Sequence, residues 1–114
     1  MNYDLLLHVD TDEASLATAL RNAENYAGAG IKEPFAIAMV LNGKAVELLR
    51  KESCLHAETI TRLRGRMVRF FVCANALRER QIPQEDLVAE AEVVPAGIVH
   101  IVKLQREGYA YVKP

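Results

Sequence analysis

The stretch Val68 to Arg80, VRFFVCANALRER, contains the signals from which the fold can be worked out. Its first part is rich in Val and Phe, which favour a buried strand, and it ends at Cys73. Its second part consists mostly of residues that favour a helix. The pattern therefore predicts a buried strand followed directly by a helix, with Cys73 at the junction between them.

Two interpretations of Cys73 follow from this position. The free N–H groups and partial positive charge of a helix N-terminus favour an anion, and cysteines there can have pKa values lowered from about 8.5 to roughly 3.5 to 7.5. Cys73 would then be a reactive thiolate. Free cysteines are also among the most buried residues and often behave as small hydrophobic side chains. Spacing alone supports the nucleophile and the core residue equally.

The rest of the chain alternates strand-like and helix-like segments in the same way. The other apolar runs of strand length are Tyr3 to Val9, the FAIAMVL run after Pro34, Glu92 to Val94, and Tyr109 to Val112. Continuous apolar runs are typical of parallel strands whose two faces are both covered by helices. Between the runs, apolar residues recur at helical spacing, as they do from Leu16 to Ala27. Gly65 is predicted to be the C′ residue, the first residue beyond the end of the helix before Val68. The alternation predicts one α/β domain over residues 1–114, a three-layer α/β/α sandwich on a five-stranded parallel sheet.

Composition narrows the classes of function. The 114 residues carry 14 Lys and Arg and 15 Asp and Glu, a net charge of −1, which gives no general attraction to nucleic acid or to an anionic membrane. The two cysteines, Cys54 and Cys73, occur in a chain with no signal peptide and no apolar run of membrane-spanning length. We therefore expect a cytoplasmic protein with free thiols that binds neither nucleic acid nor membrane.

A functional crevice is expected at the carboxyl ends of the parallel strands, where helix N-termini and loops converge. The four loops at this edge are Asp10-Thr11, Asn42-Gly43, Cys73-Ala74-Asn75 and Pro95-Ala96-Gly97. Only Cys73 is a nucleophile. Asn42 and Asn75 can either bind a ligand or satisfy turn and capping geometry, and Gly43 suits a turn with positive φ. His8, one residue from the end of the first strand, reaches the same crevice either as a base or as a core residue.

Other clusters carry weaker signals. The order Cys54-x-His56 with Glu58 nearby supplies too few ligands for a zinc site, so no metal is predicted. No phosphate-binding glycine motif follows a strand, so no nucleotide cofactor is predicted either. The basic residues Arg62, Arg64, Arg66 and Arg69 lie at the end of one helix and the start of the next strand, as in a solvated face at the edge opposite Cys73.

Four segments of the chain resemble the DsrE/DsrF-like family, specifically its small stand-alone cytoplasmic members. The segments are LLHVD, VLNGKAVELL, FFVCANAL and, most specifically, VVPAGIVHIVKLQREGYAYVKP at the C-terminus. The resemblance implies a parallel sheet of strand order 4-3-2-1-5 and assembly into a homotrimer or hexamer. It also implies a function in sulfur relay, in which a cysteine in the position of Cys73 carries sulfur as a persulfide and passes it to the thiol of a sulfur-carrier protein.

On this interpretation Cys73 is the catalytic residue of a sulfur carrier. Its pocket would be lined by the strand-end residues His8, Asn42, Gly43, Asn75, Pro95 and Ala96. Two alternatives stay open: a non-catalytic module that binds a small anion or metabolite at the strand ends, and an oligomeric scaffold. In the family strand order the first and third strands are about 9.5 Å apart, so we expect no direct hydrogen bond between His8 and Cys73.

Overall fold

The computed structural model describes residues 2–114, which form five strands and four α helices. The strands are β1 (Leu5–Val9), β2 (Ile37–Leu41), β3 (Val68–Cys73), β4 (Ala91–Val94) and β5 (Ala110–Val112). The helices are α1 (Glu13–Ala27), α2 (Ala57–Gly65), α3 (Ala74–Glu79) and α4 (Gly97–Arg106), and 3-10 helices lie at Gly43–Leu49 and Gln84–Asp86. None of the helices in this part of the chain is long and apolar enough to cross a membrane.

All five strands are parallel and lie in the order β4-β3-β2-β1-β5, which confirms the predicted sheet. The strand that ends at Cys73 therefore lies second from one edge, and β5 forms the other edge. Strand β2 separates β1 from β3, and the three strands align without stagger, since Ile37 pairs with both Leu5 and Val68. The carboxyl ends of β1, β2 and β3 consequently lie side by side.

The direction of travel across the sheet decides which face each helix covers. The chain moves outward from β1 through β2 and β3 to β4, and then returns across the whole sheet to β5. Because nearly all parallel crossovers are right-handed, reversing the direction moves the connection to the opposite face. Helix α4 is that returning connection. Helix α4 lies alone on one face of the sheet, whereas α1, α2 and α3 lie on the opposite face. The sheet and its two helical layers are the predicted three layers.

Two apolar clusters occupy the two faces of the sheet. The larger one packs alternate strand residues against α1, α2, α3 and the Gly43–Leu49 segment. The smaller one has the buried residues Leu6, Ala38, Val40, Phe71, Ile101 and Leu104. Ile101 and Leu104 come from α4, and the strand residues of the smaller cluster alternate with those of the larger one. Both faces of the central strands are therefore buried, as their continuous apolar runs predict.

Local signals set the boundaries of these elements. The Asp12 carboxylate accepts a hydrogen bond from the Ser15 N–H at 3.0 Å and caps α1, and this bond lowers the pKa of Asp12. Gly43 has the predicted positive φ, 57°. The prediction for the end of α2 is wrong: Gly65 is still helical, and the left-handed residue is Met67, with φ 71°.

Candidate functional site

His8 lies next to the last residue of β1 and is 9% exposed. Its Nδ1 atom is 2.6 Å from the Tyr111 hydroxyl, and its Nε2 atom is 2.8 Å from Oδ1 of Asn42. Strand β5 makes the first contact possible, because Tyr111 pairs with Leu6 and so shares a face of the sheet with His8 two residues further on. His8 thus links the end of β1 to β5 on one side and to the end of β2 on the other.

These two contacts define the protonation of the neutral imidazole ring. An amide oxygen only accepts hydrogen bonds, so Nε2 of His8 must donate to Asn42. In the neutral ring Nδ1 then accepts, and the Tyr111 hydroxyl donates to it. Neither ring nitrogen is bonded to Cys73, in agreement with the spacing of the strands. Since both nitrogens are engaged, His8 is held as a fixed element of the site and is not a free base.

Gly97, the first residue of α4, brings the Asn42 and Cys73 loops together. A Cβ atom built on Gly97 would lie 3.1 Å from Cβ of Asn42 and 3.1 Å from Cβ of Cys73. Side chains rarely pack so closely, so glycine at this position lets the start of α4 sit directly against both residues. Three of the four predicted strand-end loops therefore meet at one point of the carboxyl edge.

Cys73 combines features of both interpretations of its role. It is the last residue of β3, precedes α3, and pairs with Val94 of β4. It is 7% exposed and packs within the larger apolar cluster, as a core cysteine would. Helix α3 has only six residues, so its dipole supplies less charge than a long helix. The distinguishing feature of the site is instead the close packing at Gly97, where a Cβ atom would lie 3.1 Å from Cβ of both Cys73 and Asn42.

The other predicted pocket residues lie in the loops at the carboxyl edge, and their exposure and contacts differ. Asn75 is exposed, and its amide oxygen accepts a hydrogen bond from Arg78 within α3. Pro95 is exposed, and the half-buried Ala96 precedes the first turn of α4. Gly43 is exposed at the turn after β2. Among the predicted pocket residues, His8 and Asn42 are therefore the two whose side chains hydrogen-bond to each other between strand ends.

Two residues of the C-terminal segment belong to this edge and were not predicted as site residues. Tyr111 contacts His8, and the Lys113 ammonium donates to the Asp10 carboxylate, which follows β1. The hydrogen bond from Lys113 is the main reason that the pKa of Asp10 lies below its ordinary value. The only signal that could have identified Tyr111 is the strand order, which places β5 beside β1.

The residues of the weaker clusters are engaged elsewhere. His56 bonds Glu13 of α1, and Cys54 packs against the larger apolar cluster. Within residues 2–114 no group of three or more His, Cys, Asp and Glu side chains is placed to hold a metal ion.

Two arginines of the predicted basic cluster form ion pairs at the surface. Arg62 pairs with Glu24 at 2.5 Å, and Arg69 makes two hydrogen bonds, of 2.7 and 3.0 Å, to Glu92 on the neighbouring strand. The bonds from Arg69 lower the pKa of Glu92. These arginines are exposed, as the sequence predicts.

The sheet order, the single helix on one face and the cysteine at the end of β3 together define a small parallel α/β protein with a thiol at its carboxyl edge. The model of the DsrE/DsrF-like family matches residues 4–114, and the chain belongs to this family, which is associated with sulfur relay in general.

Solved structures agree with this assignment. A protein of unknown function from Methanobacterium thermoautotrophicum, MTH1491, is 32% identical with a TM-score of 0.89, over 99% of this chain and 100% of that one. The ychN protein from E. coli has a TM-score of 0.76 at 15% identity over the full length of both chains, and it shows the common fold alone. Among curated proteins, none matches the chain.

Proposed function

We propose that this protein is a cytoplasmic sulfur carrier that accepts sulfur on Cys73 as a persulfide and passes it to the thiol of a partner protein. The observation that carries the proposal is the meeting of Cys73, Asn42 and Gly97 at the carboxyl edge of the sheet. Membership of a family associated with sulfur relay supports it. The two cysteines are unpaired, as a reducing cytoplasm requires.

The chemistry needs only a thiolate, a persulfide donor and an acceptor thiol. The Cys73 thiolate attacks the outer sulfur of a donor persulfide, the donor S–S bond breaks, and the donor leaves as a thiolate. Cys73 then carries one additional sulfur atom. In the second step the acceptor thiolate attacks that outer sulfur, the new S–S bond breaks, and Cys73 returns to the thiolate form. Each step forms one S–S bond and breaks another, so neither step consumes an oxidant or a reductant.

The burial of Cys73 is compatible with this cycle. A side chain that is 7% exposed presents little surface to small oxidants, and over-oxidation of a carrier thiol would be irreversible. Adding a sulfur atom lengthens the side chain by about 2.05 Å, the length of an S–S bond. The outer sulfur, which the acceptor attacks, therefore lies further out than the Sγ atom of the free cysteine can reach.

Mass spectrometry of the protein after incubation with a persulfide donor tests the proposal. We expect an adduct of about 32 Da on Cys73, as sulfur addition requires. The adduct should be absent from Cys73→Ser and retained in the matched control Cys54→Ser, because Cys54 lies in the loop before α2 and not at the end of a strand. Donor excess that leaves Cys73 unmodified would contradict the proposal.

The same variant separates the sulfur carrier from a binding module. A module that binds a small anion through backbone N–H groups at the strand ends does not need the sulfur atom. It predicts that an unreactive anion raises the melting temperature of Cys73→Ser as much as that of the wild type. A sulfur carrier predicts no such stabilisation of the variant.

A further inference from the structure

A cavity of about 180 Å³ lies between α4 and the sheet. Ala36, Met67 and Tyr109 line it, and they directly precede β2, β3 and β5, so the cavity lies at the edge where the strands begin. Cys73 is the last residue of β3 and lies at the opposite edge of the sheet. The cavity is therefore separate from the site of the proposed function.

Small side chains on β2 leave the space for this cavity. Ala38 pairs with Leu6 of β1 and with Arg69 of β3, so its methyl group lies between two longer side chains on the α4 face of the sheet. Ala38, Phe71 and Leu104 line the cavity and are 2%, 5% and 5% exposed. The inner wall of the cavity is therefore apolar.

Ionisable side chains line the outer part of the cavity. Arg69, Lys103 and Glu107 are exposed, and His100 is half-buried. Burial lowers the pKa of His100, so its ring is neutral at pH 7. Arg69 shares its guanidinium with Glu92, which does not line the cavity, and Lys103 has no ion pair within residues 2–114. At pH 7 the lining thus carries two positive charges and one negative charge.

We propose that this cavity binds a small organic carboxylate with an apolar body about the size of a benzene ring. The size fits, because a cavity of about 150 Å³ holds benzene. The apolar body lies against Phe71 and Leu104, and the carboxylate lies toward Arg69 and Lys103, which donate charge-assisted hydrogen bonds. Tyr109 adds a hydroxyl donor. An inorganic anion would use only the polar part of this lining, and a neutral ring would use only the apolar part.

Benzoate is the probe for the first test, and the ring of His100 is the reporter. In NMR spectra at pH 7, about 10 mM benzoate should shift the ring resonances of His100, since binding of so small a ligand is expected in the millimolar range. These resonances are identified by their absence from His100→Phe. The resonances of His8 and His56 should not move, because neither residue lines the cavity. Resonances of His100 that stay in place, or that move equally with benzamide or inorganic phosphate, would overturn the inference.

The affinity for benzoate should also depend on pH. A carboxylate near the His100 ring favours its charged form, so the pKa of His100 should rise when benzoate binds. By linkage, benzoate should bind more tightly at pH 5.5 than at pH 8. Binding that is equally tight at the two pH values would contradict the placement of the carboxylate beside His100.

Two charge substitutions should change the affinity in opposite directions. Lys103→Gln should weaken benzoate binding about threefold, and Glu107→Gln should strengthen it by a similar factor, as expected for exposed charges. Both side chains are exposed, so both variants should fold like the wild type. Lys51→Gln is the control, because Lys51 follows the Gly43–Leu49 segment on the opposite face of the sheet. Dissociation constants that do not change, or that change in the same direction in the first two variants, would overturn the inference.

Thermal unfolding separates this cavity from the carboxyl edge of the sheet. Benzoate should raise the melting temperature of Cys73→Ser as much as that of the wild type. It should not raise that of Ala36→Leu, in which a longer side chain occupies the cavity. Stabilisation that is kept in Ala36→Leu and lost in Cys73→Ser would place benzoate at the carboxyl edge and overturn the inference. The anion test of the carboxyl edge therefore uses inorganic phosphate, which should not bind the cavity.

Discussion

Gly97 is the residue at which the smallest change should disturb the site. In Gly97→Ala the new methyl group would lie 3.1 Å from Cβ of both Asn42 and Cys73, and both neighbours belong to the ends of packed strands. We expect the free energy of unfolding to fall by about 1 to 3 kcal/mol, as overpacking typically costs. Alkylation of Cys73 should also slow, because the methyl group occupies the space beside the thiol. Urea denaturation and alkylation kinetics measure the two effects.

Gly65→Ala is the matched control for this substitution. A Cβ at Gly65 meets no atom within 4 Å, and the residue is helical with negative φ. We expect this variant to be more stable than the wild type by about 0.5 kcal/mol, through the reduced entropy of its unfolded state, and to alkylate at the wild-type rate. Equal stability changes in the two variants would show that Gly97 has no special contact with the site.

His100 should make stability depend on pH. Its ring packs against Phe71 at a tilt of 49° with centroids 4.3 Å apart, and its Nε2 atom is buried with no hydrogen-bond partner among residues 2–114. Burial, aided by Lys103 and Arg69 and opposed by Glu107 and Glu92, lowers the pKa of His100. As the pH falls below about 6.5, the unfolded chain therefore binds a proton that the folded chain does not, and stability decreases.

The substitution His100→Phe keeps the aromatic contact and removes the titration. The variant should lose less stability than the wild type between pH 7 and pH 5.5, measured by urea unfolding at each pH. The other titratable groups are common to both proteins, so the difference between the two curves isolates His100. Parallel curves over this window would contradict the prediction.

Some residues of the site can be located from the sequence, whereas the contacts between distant segments cannot. The sequence places Cys73, Asn42 and His8 at one edge because each lies at or next to the end of an apolar run. It does not identify Tyr111 as a partner of His8, because the two residues are 103 positions apart and meet only through the order of the strands. Nor does local pattern reveal that Gly97 is needed for close approach, since the atoms that approach it come from other loops.

At the scale of the elements, the pair Lys113–Asp10 ties the segment after β5 to the end of β1. Both side chains are more than a third exposed, so we expect Lys113→Met to lower the free energy of unfolding by only about 0.5 kcal/mol. The pair depends on ionised Asp10, whose pKa is lowered by the hydrogen bond from Lys113. The stabilisation is therefore complete above about pH 4 and is lost as the pH falls through the lowered pKa.

Thermal unfolding at pH 7 and at pH 2.5 checks this prediction. The wild type should melt above Lys113→Met at pH 7, and the two proteins should converge at pH 2.5. Lys51→Met serves as the control, since Lys51 has no ion pair within residues 2–114. A difference that persists at pH 2.5 would show that Lys113 acts through packing and not through charge.

The elements themselves were predicted more reliably than their ends. Every predicted strand is present, but β1 begins at Leu5 and not at Tyr3, and β4 includes Ala91. The residues at which a strand begins and ends depend on its pairing with the neighbouring strand. The sequence of the strand alone does not specify that pairing. The end of α2 was missed for a related reason. Glycine is the usual residue for a left-handed position, yet the left-handed residue directly before β3 is Met67 and not Gly65.

At the scale of the whole molecule, the connection from β4 to β5 leaves the outer side of α4 exposed. Helix α4 lies alone on its face of the sheet, where Ile101 and Leu104 point inward. Its outer side carries Ile98, Val99 and Val102, which are 62%, 65% and 44% exposed. Apolar side chains grouped on one helix face are typical of an interaction surface. The rim of this surface carries both signs of charge, with Lys103 and Arg106 beside Glu107.

We propose that this α4 surface is where copies of the chain associate. A rim with both signs of charge can pair with its own copy in a symmetric contact, and a net charge of −1 gives little repulsion between copies. The β5 edge is a weaker candidate for this interface. It is only three residues long, and the Tyr111 hydroxyl is already bonded to His8.

Light scattering coupled to size exclusion at micromolar concentration tests the assembly. We expect the wild type to elute as a trimer or hexamer of the 12.7 kDa chain. Val99→Lys should elute at the monomer mass, because burying an unpaired charge in an apolar contact is unfavourable. Leu55→Lys should retain the wild-type mass, since Leu55 is 78% exposed and precedes α2, which packs on the face of the sheet opposite α4. A wild type that elutes at the monomer mass would contradict the assembly, and a Val99→Lys oligomer would exclude α4 as its interface.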